Sequence, residues 1–352
     1  MPFSARGVGK VAGILFVGEF PGADELAAGI PFVGSDGRLL QRMLAAAGLL
    51  RADKPPEDWR LDLVRSGLRL FCWQRSDYAF ANVLPAPLPE NATPTERSAA
   101  IVAAREALAA LPKPDLVVAL GNAALEAFAG KDYSITDARG IVMRCTEIFP
   151  HTKLLPTLNP GAVRREYRMF GPVVADFVRA RIEAADPAAI VQSRAVSLWI
   201  EPTLGDMRAW WGQHGAKAER LAVDIETTGS RLISCIGFAA DGTRAICVPF
   251  IDWRRPGASW WPSTAEEIEA WEIVRQWLDS PIPKVFHNGA YDVSWLWGLY
   301  NLPIRAWRDD TMLAHHVLYP ELPKGLEFVG ASYCSPPLPW KTWRVGAEKR
   351  GA

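Results

Sequence analysis

GILFVGEFPGADELAAGIPFVGSDGRLL, residues 13–40, decides how the first half of the chain folds. Its first six residues are an apolar run closed by glycine, which reads as a buried strand ending in a tight turn. Gly18, Pro21 and Gly22 shape the loop that follows, and Glu19 places a carboxylate at its lip. Phe32, within PFVG, sets an aromatic ring on a second loop segment close by. A carboxylate that orients a water and an aromatic face that stacks a planar ring make a pocket for a flat heterocycle. Residues 36–50 then carry apolar side chains at helical spacing.

The alternation of buried strand and helix continues outward from this stretch. T-P-T-E at 93–96 offers Thr93 as N-cap, Pro94 at the first helical position and Glu96 to close a capping box, so a helix is expected over 93–111. PDLVVAL (114–120) reads as a second buried strand, and GNAALEAFAG as a helix ended by Gly130. TKLLPTLNP (152–160) reads as a third strand, with a helix running on to about residue 185. Strands alternating with helices predict an α/β/α domain over residues 1–182, built on a parallel sheet with its active loops at the strand C-termini.

Residues 183–196 carry little periodicity and read as a linker. The second domain, 197–352, opens with a strand in SLWIEP (197–202) and a short helix over 204–214. LAVDIETTG, RLISCIGFAA and RAICVPF are three consecutive strands joined by turns such as Asp241-Gly242, a meander. A helix over 263–278, a strand in KVFHN and a helix over 290–299 complete a mixed-sheet α/β layout without internal repeats.

A length of 352 residues fits two domains of ~100–200 residues each. The composition, 49% apolar and 22% charged, excludes a mainly disordered chain. The absence of an apolar run of ~18 residues argues against a membrane span, and MPFSARGVGK lacks a signal-peptide core, so a cytoplasmic location is expected. Five scattered cysteines without a C-x-x-C argue against a disulfide framework and a cysteine zinc site. Basic and acidic residues balance at 39 each, so only a local basic groove would mark a polyanion site. Of 15 tryptophans, only Trp59 and Trp73 precede residue 190, which suggests two halves of different origin.

The string over 18–40, with FANVLPAPLPENATPTE (80–96), PDLVVALGNAALEAF and LPTLNPGAVRR, resembles the uracil-DNA glycosylase superfamily, closest to its iron–sulfur family-four class. The resemblance covers about residues 10–182. It implies that Glu19 orients or activates the attacking water, that Phe32 stacks on a flipped uracil, and that Asn82 reads its Watson–Crick edge. Gly18, Phe20, Pro21 and Gly22 would line the same pocket. Pro160 and Gly161 would press on the DNA strand, with Arg164, Arg165 and Arg168 on phosphates. The chain departs from the family in three places. Phe20 replaces the usual alanine, Asn159 stands where a histidine usually donates to the base, and the cluster-ligating cysteines are missing, so no iron–sulfur cluster is expected.

In VDIETTG, Asp224 and Glu226 share one strand face, a costly arrangement that a hard cation such as Mg²⁺ or Mn²⁺ relieves. In FHNGAYDVSWL (286–296), Asn288 and Asp292 are i and i+4 at a helix start, with Tyr291 beside them. With RDDTMLAHHVLYPELPKGLEFVGASYC (308–334), these strings resemble the DEDD 3′–5′ exonuclease superfamily, specifically the proofreading domain of family A and phage DNA polymerases. The resemblance covers about residues 197–345. It implies a ribonuclease H-like fold and two-metal hydrolysis, with Asp224, Glu226 and Asp292 as metal ligands. Asn288 and Tyr291 would lie at the substrate, and Asp310 would be a supporting aspartate. The family's third motif, Tyr-x-x-x-Asp, has no match because no aspartate follows Asp310. The second domain is therefore expected to be incomplete at its C-terminus, with a polymerase domain or a partner chain supplying the rest.

Secondary expectations concern the histidines and tryptophans. His315 and His316 are expected on a helix surface or in the core, not on a metal. Trp253, Trp260 and Trp261, beside Arg254 and Arg255, are candidates for stacking single-stranded bases. Trp210, Trp271, Trp277, Trp295 and Trp297 are expected in the core. The combined expectation is a DNA repair or replication protein acting on uracil-containing DNA and single-stranded or frayed 3′ ends, in a bacterial cytosol or a phage-infected cell. The alternative is a catalytically weak DNA-binding module that docks on a polymerase.

Overall fold

The computed structural model describes residues 13–28, 31–49, 60–62, 72–75, 78–188, 196–229 and 232–334. The chain divides into two compact units, Met1–Val191 with Gly330–Ala352, and Gln192–Val329. Among the described residues no helix is long and apolar enough to cross a membrane.

The first unit holds strands β1 (Ile14–Gly18), β2 (Arg60–Asp62), β3 (Cys72–Arg75), β4 (Tyr78–Asn82), β5 (Leu116–Leu120), β6 (Met143–Arg144) and β7 (Lys153–Thr157). They form one sheet in the order β2-β3-β4-β1-β5-β7-β6. The central four, β4-β1-β5-β7, run parallel. Every residue of β1, β5 and β7 is buried, as expected of strands covered on both faces. The helices are α1 (Ala23–Ala28), α2 (Ser35–Ala46), α3 (Pro94–Ala109), α4 (Asn122–Ala129), α5 (Ile135–Ala138), α6 (Pro160–Arg165) and α7 (Phe170–Ala185). Because β1 is flanked by β4 on one side and β5 on the other, the chain leaves it in opposite directions. That makes a topological switch point, and the carboxyl ends of the strands open there.

Local chemistry sets the boundaries. The capping box forms: Glu96 N–H donates to Thr93 Oγ1 at 3.2 Å, and Thr93 N–H donates to Glu96 Oε2 at 2.8 Å. The helix expected over 36–50 stops at Ala46, because the chain turns through Gly48 at φ 72°. The long helix expected after residue 160 is broken into α6, a 3₁₀ turn at Tyr167–Met169, and α7. Beneath the sheet a buried ion pair joins Arg139 to Asp176 at 2.9 Å, and Thr157 donates to the same carboxylate at 2.6 Å. Burial pushes the Asp176 carboxyl up, and Arg139 and Thr157 pull against it.

The second unit holds β8 (Ser197–Trp199), β9 (Leu221–Thr227), β10 (Ile233–Asp241), β11 (Arg244–Pro249), β12 (Lys284–Phe286) and β13 (Trp307–Asp310). Its helices are α8 (Leu204–Gln213), α9 (Thr264–Leu278), α10 (Gly289–Leu296) and α11 (Thr311–Leu318), and α12 (Leu326–Tyr333) begins in it and runs past its last residue, Val329. The strand order is β13-β12-β9-β10-β11-β8. The expected meander β9-β10-β11 is antiparallel, and β12, β13 and β8 join it by parallel pairing. This is a mixed sheet, as the sequence predicts for this half.

Along β9, Leu221, Val223 and Ile225 are buried while Ala222, Asp224 and Glu226 face outward. Period-2 alternation therefore puts both acids on one face. Trp210 and Trp277 lie in the core, as expected, 5.6 Å apart and both against the apolar face of the sheet. Trp297 does not, being 58% exposed. Trp261 is buried, and Arg255 lies over the Trp260 ring at 4.3 Å, so neither ring offers an open face for base stacking. Only Trp253 of that group is strongly exposed. His315 is buried, with Nε2 3.1 Å from the Pro323 carbonyl, which agrees with a core role.

Candidate active sites

In the first unit the carboxyl ends of β1, β4 and β7 bring the expected residues together. Gly18 and Asn82, the last residues of β1 and β4, are direct register partners. Asn82 is buried, and its Nδ2 has no hydrogen-bond partner among the described residues. A buried amide donor left unpaired costs about 1–3 kcal/mol, so a group placed to accept from it is bound with that much in reserve.

Phe32 lies against Gly18: a Cβ at that glycine would stand 2.8 Å from Phe32 Cζ and 2.6 Å from Asn82 Oδ1. The glycine is what lets the ring and the amide approach the strand end together. Phe32 is also edge-on to Phe80, centroids 6.0 Å apart, and its backbone adopts φ 58°, a left-handed conformation that a bulky residue rarely takes. Gly37 permits that conformation, because a Cβ there would lie 1.6 Å from the Phe32 carbonyl oxygen.

Glu19 follows directly on β1. Its Oε1 accepts from Arg97 Nη1 at 2.9 Å, an ion pair between half-exposed side chains. Phe20 is 38% exposed beside it. Sequence reasoning missed Arg97, which comes from the first turns of α3. It also missed Glu25 of α1, which is buried and accepts from the Phe32 N–H at 2.6 Å and from the Gly22 N–H. Burial pushes the Glu25 carboxyl up, against the pull of those two amides.

Asn159 N-caps α6, accepting from the Gly161 N–H at 2.8 Å through Oδ1. That bond fixes the amide's orientation and turns its Nδ2 donor away from the helix. Pro160 and Gly161 are buried. Of the arginines assigned to phosphates, Arg164 pairs with Asp36 at 2.7 Å and Arg168 pairs with Glu166, while Arg165 is exposed. Cys145 is buried, and burial pushes its thiol up to about 12. The side chain of Cys72 lies outside the described residues.

In the second unit the carboxylates of Asp224 and Glu226 carry no hydrogen bond or ion pair among the described residues, although their backbones are paired with β10. Burial raises the Asp224 carboxyl and the neighbouring charge of Glu226 raises it further. Asp292, from α10, is buried behind them and accepts from the Ile225 N–H at 3.0 Å. Its carboxyl is pushed up to about 6, chiefly by burial, with Asp224 and Asp310 adding to it. Tyr291 and Thr227 share a 2.6 Å hydrogen bond at the edge of β9, and Asn288 is exposed with φ 63°.

Asp310, expected as a supporting aspartate, is engaged by backbone amides. It accepts from the N–H groups of Met312, Leu313, Asn288 and Gly289, at 2.9, 3.1, 3.2 and 2.7 Å. Burial works to raise its carboxyl, but those four donors outweigh it and hold it low. Asp310 thus ties the loop before α10 to the start of α11 and has little capacity left for substrate. A cavity of about 440 Å³ opens on the same sheet face, floored by Gly237, Ala239, Ala245 and Cys247 and reaching Asp224.

The resemblance of this unit implies a divalent cation, and the donors fit in kind. Asp224 and Glu226 are hard, unpaired oxygen ligands whose mutual repulsion a cation relieves. They fit less well in number: among the described residues no three His, Cys, Asp or Glu side chains are grouped to hold a metal ion.

Comparison with known proteins places both halves. The family model for the uracil DNA glycosylase superfamily matches residues 7–181. The Type-4 uracil-DNA glycosylase of Archaeoglobus fulgidus is 30% identical over 167 residues, covering 45% of this chain and 70% of that protein. The chain belongs to the uracil DNA glycosylase superfamily.

A Type-4 uracil-DNA glycosylase of Thermotoga maritima is 34% identical over 154 residues, 43% of this chain, and the chain spans 66% of that relative's length. The glycosylase-family unit ends before residue 207, where a match to the 3′-5′ exonuclease family begins and runs to residue 342. Among solved structures, Escherichia coli RNase D aligns with 41% of this chain and 35% of its own, at 17% identity and a TM-score of 0.29. The two family matches fall on different halves of the chain and do not overlap.

Proposed function

We propose that the first unit excises uracil from DNA by hydrolysing the N-glycosidic bond. The observation that carries this reading is the unpartnered, buried Nδ2 of Asn82 at the end of β4, with Phe32 and Glu19 around it. A primary amide offers one acceptor and one donor side by side. Uracil presents the complement, an N3–H and an O4 carbonyl, so the base satisfies the donor that the protein leaves open. Phe32 supplies the stacking face for the flipped ring. Glu19 orients the water that attacks C1′, and Asn159 Nδ2 donates to O2 as negative charge develops on the departing base.

A uracil-containing single-stranded oligonucleotide tests this. The protein is expected to leave alkali-labile abasic sites, and Glu19→Gln to lose them. No abasic product from the unmutated protein would overturn the reading.

For the second unit we infer a 3′-end nuclease module in which Asp224 and Glu226, with Asp292 behind them, hold Mg²⁺ or Mn²⁺. The ion would supply an activated water and charge neutralisation at the scissile phosphate. The protein's own part is to keep the two outward acids unpaired and on one face of β9. The finer reading, that this chain is the N-terminal part of a family A polymerase of phage type, rests on the motifs of residues 224–310. A 5′-labelled oligonucleotide incubated with Mn²⁺ should shorten from its 3′ end, and Asp224→Ala should stop that. The lack of a grouping of three ligands among the described residues also suits a unit that binds DNA ends without cutting, in which case the labelled strand would be retained but not shortened.

A further inference from the structure

We propose that Glu25 is a positioning residue of the first unit: its buried carboxylate clamps the Gly22 turn to Phe32 and so sets the ring against which a base stacks. The proposal rests on the glycosylase reading for its consequence, although the clamp itself does not.

Four observations meet at this side chain. Glu25 is 8% exposed although it belongs to a helix of only six residues beside a loop, where an acid would ordinarily face water. One oxygen accepts from the Phe32 N–H at 2.6 Å and the other from the Gly22 N–H, so both carboxylate oxygens are committed to backbone. Those amides lie on the two separate loop segments that shape the pocket. Phe32 holds φ 58°, a conformation that nothing local favours and that needs an outside restraint.

The Gly22 position also shows how closely the carboxylate is seated. A Cβ on that residue would stand 3.1 Å from Glu25 Oε2. Asp24 and Asp36 lie near enough to work against the ionised form of Glu25. An acid kept in such company holds its place through the bonds it makes, and here both go to the pocket loops. Glu19 meets the water and Asn82 meets the base, whereas Glu25 reaches neither and acts through Phe32.

Amide hydrogen exchange tests the clamp without substrate. The Gly22 and Phe32 N–H groups should be protected in the unmutated protein and should exchange at least about tenfold faster in Glu25→Gln, which can accept only one of them. Neighbouring β1 amides should be unchanged, which separates this from unfolding. Rapid exchange of both amides in the unmutated protein would overturn the proposal, whatever the enzyme does.

Kinetics on the uracil oligonucleotide test the consequence. Glu25→Gln should raise KM about tenfold with little change in kcat, because stacking acts on substrate and transition state alike. In a Phe32→Ala background the same substitution should add almost nothing. Full additivity of Glu25→Gln and Phe32→Ala would show that Glu25 does not act through the ring. Absence of uracil release from the unmutated protein would defeat the glycosylase reading and leave the exchange result to decide the clamp.

Discussion

Arg97 Nη1 lies 2.9 Å from Glu19 Oε1, so the carboxylate assigned to the attacking water is tethered to the first turns of α3. Both side chains are partly exposed, and a pair in that setting contributes little to stability, roughly 0–1 kcal/mol. Its value is geometric: it selects one rotamer of Glu19 at the pocket lip. Arg97→Ala should therefore leave the thermal midpoint nearly unchanged while lowering kcat for uracil release about tenfold. The salt dependence of DNA binding decides whether Arg97 also touches phosphate. A positioning role leaves the slope of log K against log[salt] where it was, and a lost phosphate contact reduces it by about one.

Gly18 makes a sharper case, because it has no room to change. A methyl there would meet Asn82 Oδ1 at 2.6 Å and Phe32 Cζ at 2.8 Å. Both neighbours are held, Asn82 by its place at the end of β4 and Phe32 by Gly37 and Glu25. Gly18→Ala is expected to destabilise the protein by about 1–3 kcal/mol through overpacking. It should also cut kcat/KM for uracil release by at least about a hundredfold, since it displaces the two groups proposed to meet the base. Chemical denaturation and steady-state kinetics on the same preparation check the two effects. A soluble variant with unchanged kinetics would mean that Gly18 is remote from the reacting base.

What could be read from the sequence follows from how each signal arises. Glu19, Asp224 and Glu226 were legible because a strand end and period-2 alternation put them in definite places, Phe32 from the loop string that carries it, and Asn82 only through the family resemblance. Glu25 and Arg97 were not, since their importance comes from partners on other segments, reached only when the loops close. Asp310 was legible in part. The resemblance marked it as a supporting aspartate, and the structure adds that its carboxylate N-caps α11 by accepting from the Met312 and Leu313 N–H groups. The bonds to Asn288 and Gly289 depend on β12 and β13 being neighbours, which no local pattern announces. Trp261 illustrates the opposite error: a Pro/Gly-rich surrounding suggests exposure, but the ring turns inward and joins the core.

The Arg139–Asp176 pair beneath β7 should behave as a buried ion pair does. Asp176→Ala leaves the Arg139 guanidinium in the interior and Thr157 without an acceptor. The expected loss is about 3–5 kcal/mol. Replacing Asp176 by Asn, which keeps an acceptor for Thr157, should lose less. Urea midpoints of the two variants check the order, and equal losses would show that the hydroxyl bond contributes nothing.

Asp292 gives a prediction with a definite pH window. Its carboxyl is pushed up to about 6 in the folded chain, first by burial and then by Asp224 and Asp310, against the pull of the Ile225 N–H. In the unfolded chain an aspartate titrates near ~3.9. Between those values the folded state binds the proton more tightly than the unfolded state. Stability contributed by this group is therefore present below about pH 4, falls as pH rises towards about 6, and stays lost above that. The shift corresponds to a cost on the order of 3 kcal/mol at neutral pH. Asp292→Asn keeps the acceptor for Ile225 and removes the charge, so it should raise the thermal midpoint at pH 8 and match the parent at pH 4. It should also abolish any Mn²⁺-dependent shortening of DNA and the stabilisation that Mn²⁺ gives the parent. A midpoint difference that does not change between pH 4 and pH 8 would mean that Asp292 is not the group carrying this titration.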